Sequence, residues 1–152
     1  MTFHVGTDNY SLDHKGRIVI PEHLRRDADG EPLAALFVNM GFDGCVNVYS
    51  PTQWGEWMER IRRARDVALA RRFRRAFMSD AREVTVDAQG RVPIPPALIR
   101  RAGLGKEAVL HGAGTHIEIW NPQAYAAALA PVLDVDGEYE RLGEQFLKDD
   151  LG

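Results

Sequence analysis

Apolar positions along this chain follow two periods. Residues 36–40 with 46–49, and residues 108–111 with 117–120, are short runs rich in β-branched and aromatic residues, which predict two strand pairs. Gly41 and Gly44, or Gly112 and Gly114, supply the turns between them. Ahead of each pair the chain reads strand, turn, strand, with Gly16 or Gly90 in the tight turn. Pro21 and Pro95 end those strands, because proline cannot donate to a central ladder. Short helical stretches follow at 22–26 and 96–102, the second stopped by Gly103. Between 51 and 78 the period changes. Trp54, Trp57, Met58, Ile61, Ala64, Ala68, Phe73 and Phe77 recur at three-to-four spacing, predicting a long helix that bends around 68–70. A last helix at 122–132 mirrors its beginning.

The chain repeats itself. Asp13, Gly16, Arg17, Ile20, Pro21 and Leu24 recur 74 positions later as Asp87, Gly90, Arg91, Ile94, Pro95 and Leu98. Downstream the offset falls to 71, as if one loop of the second copy were three residues shorter. There Val38, Gly41, Val46, Val48, Tyr49, Pro51 and Trp54 face Val109, Gly112, Ile117, Ile119, Trp120, Pro122 and Tyr125. One copy is too small to bury much apolar surface alone, so two copies about a pseudo-two-fold axis are expected to share one barrel-like core. Asp13 and Asp87 sit where a short carboxylate bonds nearby backbone amides and holds the turn.

Charge complicates a reading that is otherwise that of an ordinary globular protein, 45% hydrophobic and 27% charged. The formal net charge of −3 argues by itself against a nucleic-acid partner. The charges are segregated, however. Eight arginines lie between Arg60 and Arg75 with only Asp66 among them, and Asp134, Asp136, Glu138, Glu140, Glu144, Asp149 and Asp150 crowd the end. No apolar run approaches the roughly 20 residues of a membrane span, and the start lacks a signal-peptide pattern, so a cytoplasmic protein is expected. The single Cys45 cannot form an internal disulfide.

Catalysis finds no candidate. His4, His14, His23, His111 and His116 are scattered without zinc-site spacing, Cys45 has no flanking catalytic signature, and no phosphate-cradling glycine loop is present. An enzyme is not expected, nor is a metal or cofactor.

The residues Asp13-His14-Lys15-Gly16-Arg17 leading to Ile20-Pro21 resemble the signature of the SpoVT-AbrB DNA-binding family. The second copy from Asp87 to Pro95 narrows the resemblance to the tandem MraZ family, as do Ala102-Gly103-Leu104 and Glu118-Ile119-Trp120. The resemblance implies an α+β, mainly β fold: two tandem swapped-hairpin modules forming one pseudo-two-fold barrel with peripheral helices. It divides the chain into a first module with its following helix (3–57), a connecting helix (58–80), a second module (81–128) and an acidic C-terminal tail (129–152).

For function the resemblance implies a transcriptional regulator at the nucleoid. It would bind double-stranded DNA at direct repeats upstream of the division and cell-wall gene cluster, as a homo-oligomeric ring. Carried over by position, the DNA-binding residues are Lys15, Arg17, Arg25 and Arg26 in the first copy and Arg91 and Arg100 in the second. Gln89 replaces Lys15 and Ile99 replaces Arg25, so the second copy is expected to add less to affinity. Pro93 predicts an edge or bulged strand that loosens the second turn.

Plainer readings stand beside these. Arg17 and Arg91 would pair with Asp13 and Asp87 as turn arginines, and the Arg60 to Arg75 ridge would be a solvated helix face. A different class of function is an AbrB-like antitoxin or protein-interaction module, in which the acidic end covers a partner. Tyr139, Leu142, Phe146 and Leu147, at helical spacing there, suit docking within an assembly.

Overall fold

The computed structural model describes residues 3–151 and divides along the chain into two units, the first ending at Asn121 and the second beginning at Pro122. In the first unit, the first repeat forms β1 (Thr7–Ser11), β2 (Arg17–Val19), a single 3-10 turn (Glu22–Leu24), β3 (Ala35–Met40) and β4 (Val46–Tyr49). Two helices follow, α1 (Pro51–Arg62) and α2 (Val67–Met78). The second repeat then gives β5 (Arg82–Thr85), β6 (Arg91–Pro93), α3 (Pro96–Arg101), β7 (Glu107–Gly112) and β8 (Ile117–Trp120). The second unit is a helix pair, α4 (Pro122–Leu133) and α5 (Glu138–Leu151). More residues lie in helices than in strands, so the fold is mixed α+β rather than mainly β. The helix beyond expectation is α5, in the stretch expected as an acidic tail, whose amphipathic spacing carries it to a full helix.

The repeats are interlaced. Strand order in the six-stranded antiparallel sheet is β1-β7-β8-β4-β3-β5, so β1 of the first repeat pairs with β7 of the second, and β5 pairs with β3. Strands β2 and β6 form a separate two-stranded ribbon. A two-fold exchange of the repeats leaves this order unchanged. In the ribbon Ile18 faces its own counterpart Val92, and where the repeats meet in the sheet Asn47 faces its counterpart Glu118. The axis therefore runs through those two pairs.

The sheet stays open, with β1 and β5 as its edges, and no closed barrel forms among the described residues. The reason is local. β2 and β6 are three residues long and are followed by Pro21 and Pro95, while Pro93 has no N–H to give, so their ladder extends only to each other.

Ribbon and sheet close on one core. Ile18, Ile20, Val92 and Ile94 pack with Leu36, Val38, Val46, Val48, Leu110, Ile117 and Ile119. Alternation turns Phe37 and Tyr49 to the opposite face of the sheet, where α1 and α2 cover them. There the Trp54 ring stacks on Phe37 at 5.1 Å and on Phe77 at 5.3 Å. Ser50 and Gln53 form a reciprocal capping box at the start of α1, with Pro51 in its first turn. The expected bend at 68–70 falls earlier, between Arg62 and Val67. Asp66 accepts the Leu69 N–H and so begins a new helix, and the alanines after it propagate that helix.

The repeat alignment needs one correction. Val38 pairs with Val48, and Leu110, not Val109, pairs with Ile119. Two of the three missing residues therefore fall before β7, and one falls in the β7–β8 hairpin.

Candidate nucleic-acid interface

The Asp-x-x-x-Arg segments build two matching turns at opposite ends of the ribbon. Asp13 Oδ1 accepts the backbone N–H groups of Lys15 and Arg17, each at 2.9 Å, and its Oδ2 accepts the Arg17 Nε–H at 2.7 Å. Asp87 does the same with Gln89 and Arg91, at the same distances. Gly16 (φ +76°) and Gly90 (φ +80°) take the left-handed conformation that closes each turn. The Ile20 N–H donates to Gly90 C=O, and the Ile94 N–H to Gly16 C=O, both at 2.9 Å, so each turn is tied to the strand of the other repeat. The second turn is not loosened by Pro93, because that residue lies at the ribbon's end, opposite Arg17.

These contacts fix the charge state. The Arg17 backbone N–H is the largest influence on Asp13, and with the guanidinium it brings the carboxyl down to about 2. Asp87 is lowered for the same reasons. Both turn aspartates are thus ionised anchors, as the plainer reading expected. The ion pair takes only the Nε–H of each arginine; the terminal nitrogens of Arg17 remain for other acceptors, while Arg91 Nη2 also donates to Gln89 Oε1 at 3.3 Å.

Ile18 and Val92 point into the core, so alternation turns Arg17, Val19, Arg91 and Pro93 outward. Arg17 and Arg91 stand diagonally across that face, with Lys15 exposed at one tip and Gln89 at the other. Arg26 is exposed and bonds Glu22 and the Gly30 carbonyl. Arg100 is exposed on α3. Arg25 is half-buried and donates from Nε to the Ile20 carbonyl at 2.6 Å. Val19, 39% exposed, was missed from sequence, where a valine in a strand reads as core. The arginine ridge is partly self-compensated, with Arg62 and Arg63 both on Glu59 and Arg60 over the Trp57 ring.

Comparison with known proteins gives the context for this geometry. Residues 3–76 and 77–136 each match the family model described as "MraZ protein, putative antitoxin-like". The chain belongs to the MraZ family. Its two tandem MraZ repeats are the interlaced halves described above. A relative named Transcriptional regulator MraZ from Arthrobacter sp. (strain FB24) is 39% identical over 83% of this chain and 87% of its own length. Another from Paenarthrobacter aurescens (strain TC1) is 41% identical over 80% and 82%. A third, from Heliobacterium modesticaldum, is 36% identical over 97% and 99%. MraZ is a family of transcriptional regulators and not of enzymes. No helix among the described residues is long and apolar enough to cross a membrane.

Proposed function

We propose that this MraZ protein regulates transcription by binding double-stranded DNA through the outward face of the β2–β6 ribbon, with Arg17 and Arg91 as its principal contacts. The observation that carries the reading is that two arginines, each pre-oriented by an ionised aspartate, stand on one face of a two-stranded ribbon. A ribbon of that width enters a major groove, and guanidinium groups there pair with phosphates or with guanine edges. Lys15, Arg26 and Arg100, which are exposed, add phosphate contacts.

One ribbon reads a short box, so several protomers acting on repeated boxes gain through effective concentration. The full reading is a homo-oligomer, arranged as a ring, on direct repeats upstream of the division and cell-wall gene cluster, in the cytoplasm at the nucleoid.

The test is binding of the purified protein to its own upstream region while salt is raised, for the wild type and for Arg17→Ala. The reading expects specific binding that weakens steeply with salt and collapses in the variant. Specific binding unchanged by Arg17→Ala would remove the ribbon face. No binding by either protein would favour a protein-partner role of the antitoxin kind.

A further inference from the structure

The interlacing sends one side chain of each repeat onto the turn glycine of the other. A Cβ built on Gly90 would run into the Arg25 guanidinium, meeting Cζ and, at 2.7 Å, Nε and Nη1. A Cβ built on Gly16 would meet Ile99 Cδ1 at 3.0 Å. Arg25 and Ile99 occupy equivalent places in the two repeats, 74 positions apart. The Arg25 Nε–H donates to the Ile20 carbonyl, and the Ile20 N–H donates to the Gly90 carbonyl. The guanidinium is therefore latched to the β2 strand end that itself holds the second turn.

We infer that Arg25 is a positioning residue of the second turn, clamping Asp87–Arg91 from the other repeat, and that it restores there the cation lost at Gln89. Counted in sequence, the second repeat is poorer in charge. Counted in space, the first turn has Lys15 and Arg17 against Asp13, and the second has Arg25 and Arg91 against Asp87. Glu22, whose carboxyl is lowered in part by Arg25, is already bonded to Arg26. The two ends of the ribbon then offer DNA matching charge, and Gly90 is needed both for its positive φ and for the room its missing side chain leaves to the guanidinium. The charge half of this inference rests on the DNA-binding reading above; the clamp half does not.

Three full-length variants separate the halves. Without DNA, Arg25→Ala should speed amide hydrogen exchange at residues 88–91 by about tenfold while leaving 14–17 unchanged, and Ile99→Ala should do the reverse. Arg25→Met keeps an unbranched side chain over Gly90 without charge. It should preserve protection of the second turn but lower the salt slope of DNA binding by about one. Exchange in Arg25→Ala that is unchanged, or that rises at the first turn, would overturn the clamp. Wild-type affinity and slope in Arg25→Met, alongside lost binding in Arg17→Ala, would overturn the charge half and leave the DNA reading standing. No DNA binding by the wild type would defeat that reading and the charge half together, while the exchange pattern would still decide the clamp.

Discussion

Ile18→Ala tests whether the arginine-bearing ribbon is anchored to the core of the sheet. Ile18 is fully buried, faces Val92 across the ladder, and belongs to the same cluster as the inner residues of β3, β4, β7 and β8. The change removes roughly three methyl-sized groups, about 2.4 kcal/mol at ~0.8 kcal/mol for each. The unfilled cavity brings the total to about 3–4 kcal/mol, because both sides of the site are held by sheet and ribbon and collapse only in part. Ile18→Val, which removes one such group, should cost about 1 kcal/mol. Urea unfolding followed by circular dichroism and by tryptophan fluorescence measures both, at fixed protein concentration so that assembly does not shift the midpoint. Trp54 and Trp57 lie on the far side of the sheet from Ile18, so coincident transitions are a second requirement of a shared core. A cost below about 1 kcal/mol for Ile18→Ala would mean that the ribbon is not seated as described, and Arg17 and Arg91 would lose the support that pre-orients them.

Two further outcomes follow from the same geometry. The Asp13 carboxyl should titrate near 2, against an ordinary 3.8, in a carbon-detected nuclear magnetic resonance titration. Since the folded value lies below the unfolded one, its stabilising effect is complete above about pH 4 and drains away as pH falls toward 2; Asp13→Asn should abolish that part of the acid dependence, and a midpoint at the ordinary value would contradict the turn geometry. Cys45 is fully buried, and burial pushes its thiol up to about 12. A disulfide reagent at pH 8 should therefore leave it untouched in the native protein and modify it in denaturant, and prompt native reaction would refute that burial.

Much of this was legible in the sequence because it is encoded locally. The turn glycines, the aspartates that hold them and the prolines that end the strands each act within a few residues. The recurrence of all of them at one offset announced the repeat. The register of β7 was not legible. Residues 108–110 read Ala-Val-Leu, a continuous apolar run that fits the core face in either phase, and only pairing with β1 and β8 decides that Leu110 points inward. The helix break was misplaced because alanines were read as weak points, whereas the capping signal at Asp66 lay just before them. The destination of Arg25 could not be read either, since it depends on which repeat supplies the neighbouring turn.

Fusing the two repeats in one chain permits differences that a symmetric pair of single repeats could not hold. On the axis of a symmetric pair each residue meets its own copy. A glutamate at the position of Glu118 would then face a glutamate across the ladder, and like charges directly opposite are destabilising. In this chain Glu118 faces Asn47 instead. Its carboxylate is free to accept the Trp120 Nε1–H at 3.0 Å and to lie beside His116, which holds it below the usual carboxylate range. Asn47, for its part, donates to the Tyr49 hydroxyl at 2.9 Å and so braces the aromatic cluster under α1 and α2. The same freedom lets Arg25 and Ile99 diverge. A charged clamp can form on one turn and an apolar one on the other, and each compensates for what its partner turn carries in Gln89 or Lys15. These differences lie where the interlaced fold makes the two halves touch, and it is there that a substitution in one repeat should be felt in the other.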